Sequence, residues 1–307
     1  MSFFRSIALL LTALVFITSC QTKDSSELRN SQNSSSLRLK GSESELPLLG
    51  MITSLWAGHK PALPTSLEGG GTATGIDALL KGEADIANAS RLLTDMEERE
   101  AETAGIELTN IVIARDALAI ISGPGVNTDS LSIPQLADLL SGKIRNWKEL
   151  GGPDLPVVVI GRNRTSGTYQ YLLDLLHFDN FAPGHQELKD NAAILEAVRK
   201  TKGAVGYVNI GSLIDREGKP YKYVWVMSLY IDGDRAHSPY NREAVSSGDY
   251  PLTRPLYQYV RVPCSKEVSE FLRFELDEKQ QAKITSFGYF PLTPIDLDVN
   301  RRNMELL

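Results

Sequence analysis

The sequence predicts an α/β fold built on a parallel sheet, and three observations lead there. A strand, a polar turn and the start of an apolar-faced helix follow one another in that order three times, at turns led by Gly41, Gly69 and Gly161. Parallel strands feed helix N-termini from their carboxyl ends, and open α/β folds gather their ligand-holding turns at those ends. At 307 residues the chain is also long enough for about two domains.

The chain opens on a targeting pattern. Arg5 precedes an apolar run at residues 7–17, and Ile17, Thr18, Ser19 and Cys20 resemble the bacterial lipobox that ends in a lipidated cysteine. The run is too short to favour a spanning helix. Residues 1–20 therefore read as a lipoprotein signal peptide with Cys20 as the lipidation site; a signal peptide cut elsewhere, with Cys20 incidental, is the alternative. Residues 21–36, QTKDSSELRNSQNSSS, have almost no large apolar side chains and read as a flexible tether.

The globular part begins with an alternating strand at residues 37–40 and the turn GSESELPLLG at residues 41–50. A helix over about residues 47–56 follows, with Pro47 tolerated in its first turn. A second strand precedes Glu68, and GGGTATGIDALL then places a helix start near Gly75, capped by Thr72 or Thr74. DIANASRLL reads as a short strand ending at Ser90 and Arg91, and a charged helix spans about residues 94–104. NIVIARDALAIIS at residues 110–122 is strand-like on both sides of Asp116, a candidate crossover between domains. Residues 142–152 read as a helix end and loop with Trp147 packed locally. The third unit has an apolar strand at residues 156–160, the turn GRNRTSGT and a helix at residues 169–176, with Leu172, Leu173 and Leu176 at helical spacing and Ser166 or Thr168 as cap. Residues 221–249 read as strands and a surface loop without metal-loop spacing.

The turn at residues 161–168 sets free backbone N–H groups, two hydroxyls and the positive end of a helix dipole beside Arg162 and Arg164. That chemistry suits a small oxyanion; an ordinary capped turn with two solvated arginines is its bland rival. The net charge of −6 argues against a nucleic-acid surface but not against a desolvated anion site, where local donors decide. No turn carries the lysine of a nucleotide P-loop, none spells GxGxxG after a strand, and no GxSxG elbow occurs. His59, His177, His185 and His237 stand in no metal-ligand spacing, so neither metal nor cofactor is expected. With Cys20 assigned, Cys264 has no internal disulfide partner and reads as a buried structural thiol.

Taken in order, GSES, GTATGI, DIANASR, RDALAII, LSGKIRNW, RNRTSGT, GAVGYV, YPLTRPLY and FGYFPL resemble the phosphate-binding proteins of bacterial ABC importers, the PstS family, over about residues 37–292. The resemblance implies a two-lobed periplasmic-binding-protein fold, type II-like, with the ligand cleft between lobes joined by two crossover segments. Lobe one would comprise residues 37–115 plus 254–307 and lobe two residues 116–253, with YPLTRPLY as the return strand. By position, Ser44 and Thr72 match hydroxyl donors, Glu45 a position used mainly through its N–H, Arg162 the arginine that pairs with the anion, and Ser166, Gly167 and Thr168 the lobe-two donors. Ser90 and Arg91 form a corner where some members have an aspartate that accepts the proton of phosphate, and Arg91 here reads as a ligand or as a cap of its helix. Arg164 stands where some members carry an acidic residue. Both departures add positive charge, which would weaken discrimination against sulfate; the acceptor candidates that remain are Glu43, Glu45 and Asp116.

The expected protein is a non-catalytic, exported and lipid-anchored monomer that captures inorganic phosphate and hands it to an ABC permease, with no nucleic-acid partner. A sulfate binder of the same fold and a surface or sensory lipoprotein without uptake are the alternatives. A phosphatase using Ser166 lacks an identifiable base or metal cluster.

Overall fold

The computed structural model describes residues 36–215, 219–231 and 233–307. The expected signal peptide, Cys20 and residues 21–35 of the tether lie outside the described residues. Along the chain run β1 (Leu37–Gly41), α1 (Leu46–His59), β2 (Thr65–Glu68), α2 (Thr72–Lys81), β3 (Ile86–Ala89), α3 (Asp95–Thr103) and β4 (Glu107–Ser122). Then come β5 (Ser130–Ser132), α4 (Ile133–Leu140), β6 (Val158–Arg162), α5 (Gly167–Leu176), β7 (Gln186–Leu188), α6 (Asn191–Lys200) and β8 (Ala204–Asn209). The last are β9 (Trp225–Val226), β10 (Ser228–Tyr230), α7 (Arg242–Ser247), β11 (Thr253–Val262), α8 (Lys266–Leu276), α9 (Glu278–Ser286) and α10 (Pro294–Met304).

The main sheet runs β2-β1-β3-β11-β4-β8-β6-β7. It is mixed, where the sequence predicts a parallel one: β1 is parallel to β2 and β3, and β6 is parallel to β7 and β8, but β4 and β11 are antiparallel to each other and to their outer neighbours β8 and β3. The reason lies in β4. Its run of apolar residues, buried almost without interruption from Thr109 to Ser122, continues straight through Asp116 as one 16-residue strand. Its first part pairs β11 as far as Ala117, and its last five residues pair β8. β11 comes back beside it, with Arg254 directly opposite Asp116.

The apolar core divides at the same place. One cluster draws on residues from Ala117 to Leu252, with Phe290 added, and includes Ile120, Leu172, Tyr207 and Leu229. The others draw on residues 37–114 and 256–289, including Leu48, Trp56, Ile113, Leu256 and Phe271 around β1, β3 and β11. The three predicted turns leave the carboxyl ends of β1, β2 and β6, all at the edge where β4 passes from one core to the other.

Local chemistry shifts several predicted boundaries. α2 begins at Thr72, three residues before the expected start; Gly71, at φ 98°, precedes it, so Thr72 is a first-turn residue and not a cap. α5 begins at Gly167 because Ser166 is its cap, accepting from the N–H groups of Thr168 and Tyr169. Trp147 is fully buried, its indole N–H donating to the Gly203 carbonyl at 2.9 Å. Cys264 is only half-buried at the edge of the first core, not fully buried as expected, since it follows the end of β11. Among the described residues no group of three or more His, Cys, Asp or Glu side chains could hold a metal, and no helix is long and apolar enough to cross a membrane.

Candidate oxyanion site

In two of the turns a backbone N–H occupies a lone pair of a buried hydroxyl, which leaves that hydroxyl its proton to donate. After β1, Ser42 donates its N–H to the Asn88 carbonyl at 2.9 Å, and the chain bends so that Ser44 lies buried. The Glu43 carboxylate accepts the Gly70 N–H at 2.7 Å and ties the first turn to the second. There the Thr72 hydroxyl accepts the N–H of Ser90 at 3.1 Å and stands 3.5 Å from the Ser90 hydroxyl. In the third turn Ser166 Oγ accepts from Thr168 and Tyr169 at 3.2 and 3.4 Å. A hydroxyl that already accepts has its one proton left to donate.

The turns of the two cores meet. Ser44 Oγ and Thr168 Oγ1 are 3.2 Å apart, the Ala73 N–H donates to the Thr165 carbonyl at 3.2 Å, and the Thr165 hydroxyl reaches the Gly70 carbonyl at 3.2 Å. Gly167 is required there: a Cβ on it would lie 2.3 Å from Thr72 Oγ1 and 2.5 Å from Ser90 Oγ. Thr72, Ser90, Ser44, Arg162, Ser166 and Thr168 are all at most 4% exposed. A buried set of hydroxyls with spare protons, beside a guanidinium and at the N-terminus of α5, matches an anion rich in acceptor oxygens.

Arg162 closes β6 and donates its backbone N–H to the Tyr207 hydroxyl at 2.9 Å. Burial pushes its guanidinium down from its ordinary value, Glu43 pulls the other way, and the charge of Arg254 adds to the depression. Its Nε has no hydrogen-bond partner.

Ser44, Thr72, Ser90, Gly167 and Thr168 form one contact cluster, and Ser166 anchors the helix that carries the last two. Glu45 stands beneath it: its N–H donates to the Ser42 carbonyl at 3.2 Å, and its fully buried carboxyl is pushed well above the usual range by burial, with Ser42 opposing. Arg91 pairs with the helix that follows it, and its buried Nε has no hydrogen-bond partner. Its Nη1 and Nη2 donate to the Glu97 carboxylate at 2.7 and 2.8 Å, and Nη1 also reaches the Leu92 carbonyl. Glu97 completes a capping box with Thr94; burial pushes its carboxyl up, but Arg91 and the Thr94 N–H outweigh this and hold it below its ordinary value. Arg164 is exposed and donates to Asn180 Oδ1 at 2.9 Å. Both additional cations are thus engaged away from the cluster.

Sequence reasoning missed Arg254, read only as part of a return strand. It is 1% exposed and touches Ser44, Thr168, Asp116 and the Ser90 carbonyl. A signal was available in the period of two: Leu252, just before β11, and Arg254, Leu256 and Gln258 within it are all buried, and an arginine in register with buried leucines requires buried partners.

Two α/β cores joined by a crossing strand pair, with a buried, donor-rich cluster where they meet, define a two-lobed solute-binding protein as a class. The chain belongs to the PBP superfamily, whose domain matches residues 29–279. Among curated relatives, the phosphate-binding protein PstS of Staphylococcus epidermidis is 28% identical, over 89% of this chain and 84% of its own. PstS of Bacillus subtilis is 26% identical, over 96% and 95%. Among solved structures, a substrate-binding protein of the phosphate ABC transporter type from Clostridium perfringens, with phosphate bound, is 26% identical with a TM-score of 0.73. It matches 84% of this chain and 100% of its own.

Proposed function

We propose that this protein captures inorganic phosphate between its lobes and delivers it to the membrane permease of an ABC importer. The observation that carries the reading is the buried cluster itself: Ser44, Thr72 and Ser90 from one core and Thr168 from the other, touched by the Arg254 guanidinium, with Arg162 buried at the end of β6. A tetrahedral anion offers acceptors in every direction, so it can take protons from both sides at once. Charge-assisted hydrogen bonds contribute about 1.5 to 3 kcal/mol each, and two or three of them with neutral donors reach micromolar affinity, roughly −8 kcal/mol. The relatives named for phosphate binding support this choice of anion. The case for sulfate rested on Arg91 and Arg164, and both are engaged elsewhere.

In this reading residues 37–115 plus 254–307 form lobe one and residues 116–253 form lobe two, a division supported by the separate cores. The protein works outside the cytoplasm as a monomer held to the membrane by lipid on Cys20, and it binds phosphate without transforming it. Calorimetric titration of a soluble form from Gln21 onward tests the claim. Phosphate should bind at micromolar affinity or tighter, well ahead of sulfate, and Arg162→Ala should weaken it by about 100-fold. A folded sample giving no heat with phosphate would falsify the reading.

A further inference from the structure

We propose that Arg254, carried by the return strand β11, is a second cationic ligand of the bound anion and makes the site select doubly charged oxyanions. The inference rests on the oxyanion-capture reading above.

Its geometry differs from that of an arginine serving only a structural ion pair. Nη2 stands 2.9 Å from Ser44 Oγ, 3.0 Å from Thr168 Oγ1 and 3.2 Å from Asp116 Oδ2. Two N–H protons thus face three oxygens, two of them the hydroxyls that the lobes set against each other. Nη1 donates to the Ser90 carbonyl at 3.2 Å, the ring of Tyr171 lies 5.2 Å from the guanidinium carbon, and Nε is buried without a partner. Ser44 and Thr168 both accept from Arg254, so each has its own proton to give. At 3.2 Å only one can give it to the other, and the remaining proton calls for a further acceptor.

An anion taking those hydroxyl protons comes within reach of the same nitrogen. It also relieves the repulsion between Arg254 and Arg162, two buried cations close enough that one disfavours the charge of the other. Asp116, opposite on β4, is a positioning residue. It holds the guanidinium at the changeover between sheets and offsets one of the two positive charges, leaving a site that still carries net positive charge for a dianion.

The test compares wild type, Asp116→Asn and Arg254→Gln combined with Asp116→Asn, each titrated with inorganic phosphate at pH 6 and pH 8, on either side of its second ionisation. The double variant removes both buried charges together, which avoids stranding a carboxylate. Compared with Asp116→Asn, the double variant should lose about 30- to 100-fold in phosphate affinity, and that difference reports the guanidinium alone. The wild-type preference for pH 8 over pH 6 should shrink with it, a change that a merely structural arginine would not produce. A folded double variant with wild-type affinity and pH preference overturns the proposal. Should the double variant not fold, Arg254→Lys decides: an ammonium cannot reach Ser44, Thr168 and the Ser90 carbonyl together, so about tenfold weaker binding is expected and undiminished affinity refutes the role. Wild type that binds no phosphate at either pH removes the phosphate reading itself, before any variant is compared.

Discussion

Asp116 shows what a single buried carboxyl does to this protein. Burial pushes it up to about 6 from an ordinary 3.8, against the opposing pull of Arg254. Between those two values the folded protein holds a proton that the unfolded chain has released, so stability falls as pH rises through that window, by about 3 kcal/mol in all. Glu97, Asp85 and Asp296 are shifted the opposite way, so the difference between wild type and Asp116→Asn is the quantity to follow. Urea melts from pH 4 to pH 7 should show the variant gaining on wild type as pH increases; parallel curves would mean that Asp116 is ionised throughout. The contact from Arg254 to Asp116 joins residues 138 positions apart, which no local motif could announce. The fate of Arg91, by contrast, was written six residues away: Thr94 and Glu97 spell a capping box, and a bidentate arginine partner for that glutamate was open to reading.

Among the elements, the turn–helix units explain why so much of the site was legible beforehand. Ser166 as cap and Gly167 behind it follow from backbone chemistry within a few residues, and local chemistry is what a sequence displays, although the start of α2 at Thr72 lies three residues before the expected one. What stayed hidden was the mixed direction of the sheet, because strand pairing depends on partners more than a hundred residues apart, as β11 is from β4. The helix start at Gly167 also yields a clean experiment. Alanine there improves helix propensity, yet its Cβ would press to 2.3 Å on Thr72 Oγ1 and 2.5 Å on Ser90 Oγ, where van der Waals contact begins near 3.4 Å. Gly167→Ala should therefore weaken phosphate binding by about tenfold or more and lower the thermal midpoint of the ligand-free protein as well. Unimpaired binding would show that the two sets of turns do not meet in the bound state.

For the molecule as a whole, the cores share β4, so a ligand held between them ought to stabilise both together. Phosphate at about a thousand times its dissociation constant should add roughly 4 kcal/mol to unfolding, raising the midpoint of a single calorimetric transition, with chloride without effect. Two separate transitions, only one of them sensitive to phosphate, would place the anion within one lobe. The sheet order also dictates a schedule of assembly. β3 is flanked by β1 and β11, and β11 is the strand that joins it to β4. As the chain emerges from its N-terminus, β1, β2 and β3 can pair with one another, but the inner edge of β3 must wait for residues 253–262, more than 150 positions later. The segment that builds the second core is complete by then, so the first lobe to begin is the last to finish. Until β11 arrives, a short strand whose residues are all buried in the finished fold presents an open edge to whatever else is unfolded nearby. A nascent chain needs that edge shielded, and shortening the delay, by bringing β11 forward in a circular permutant, would lessen the need.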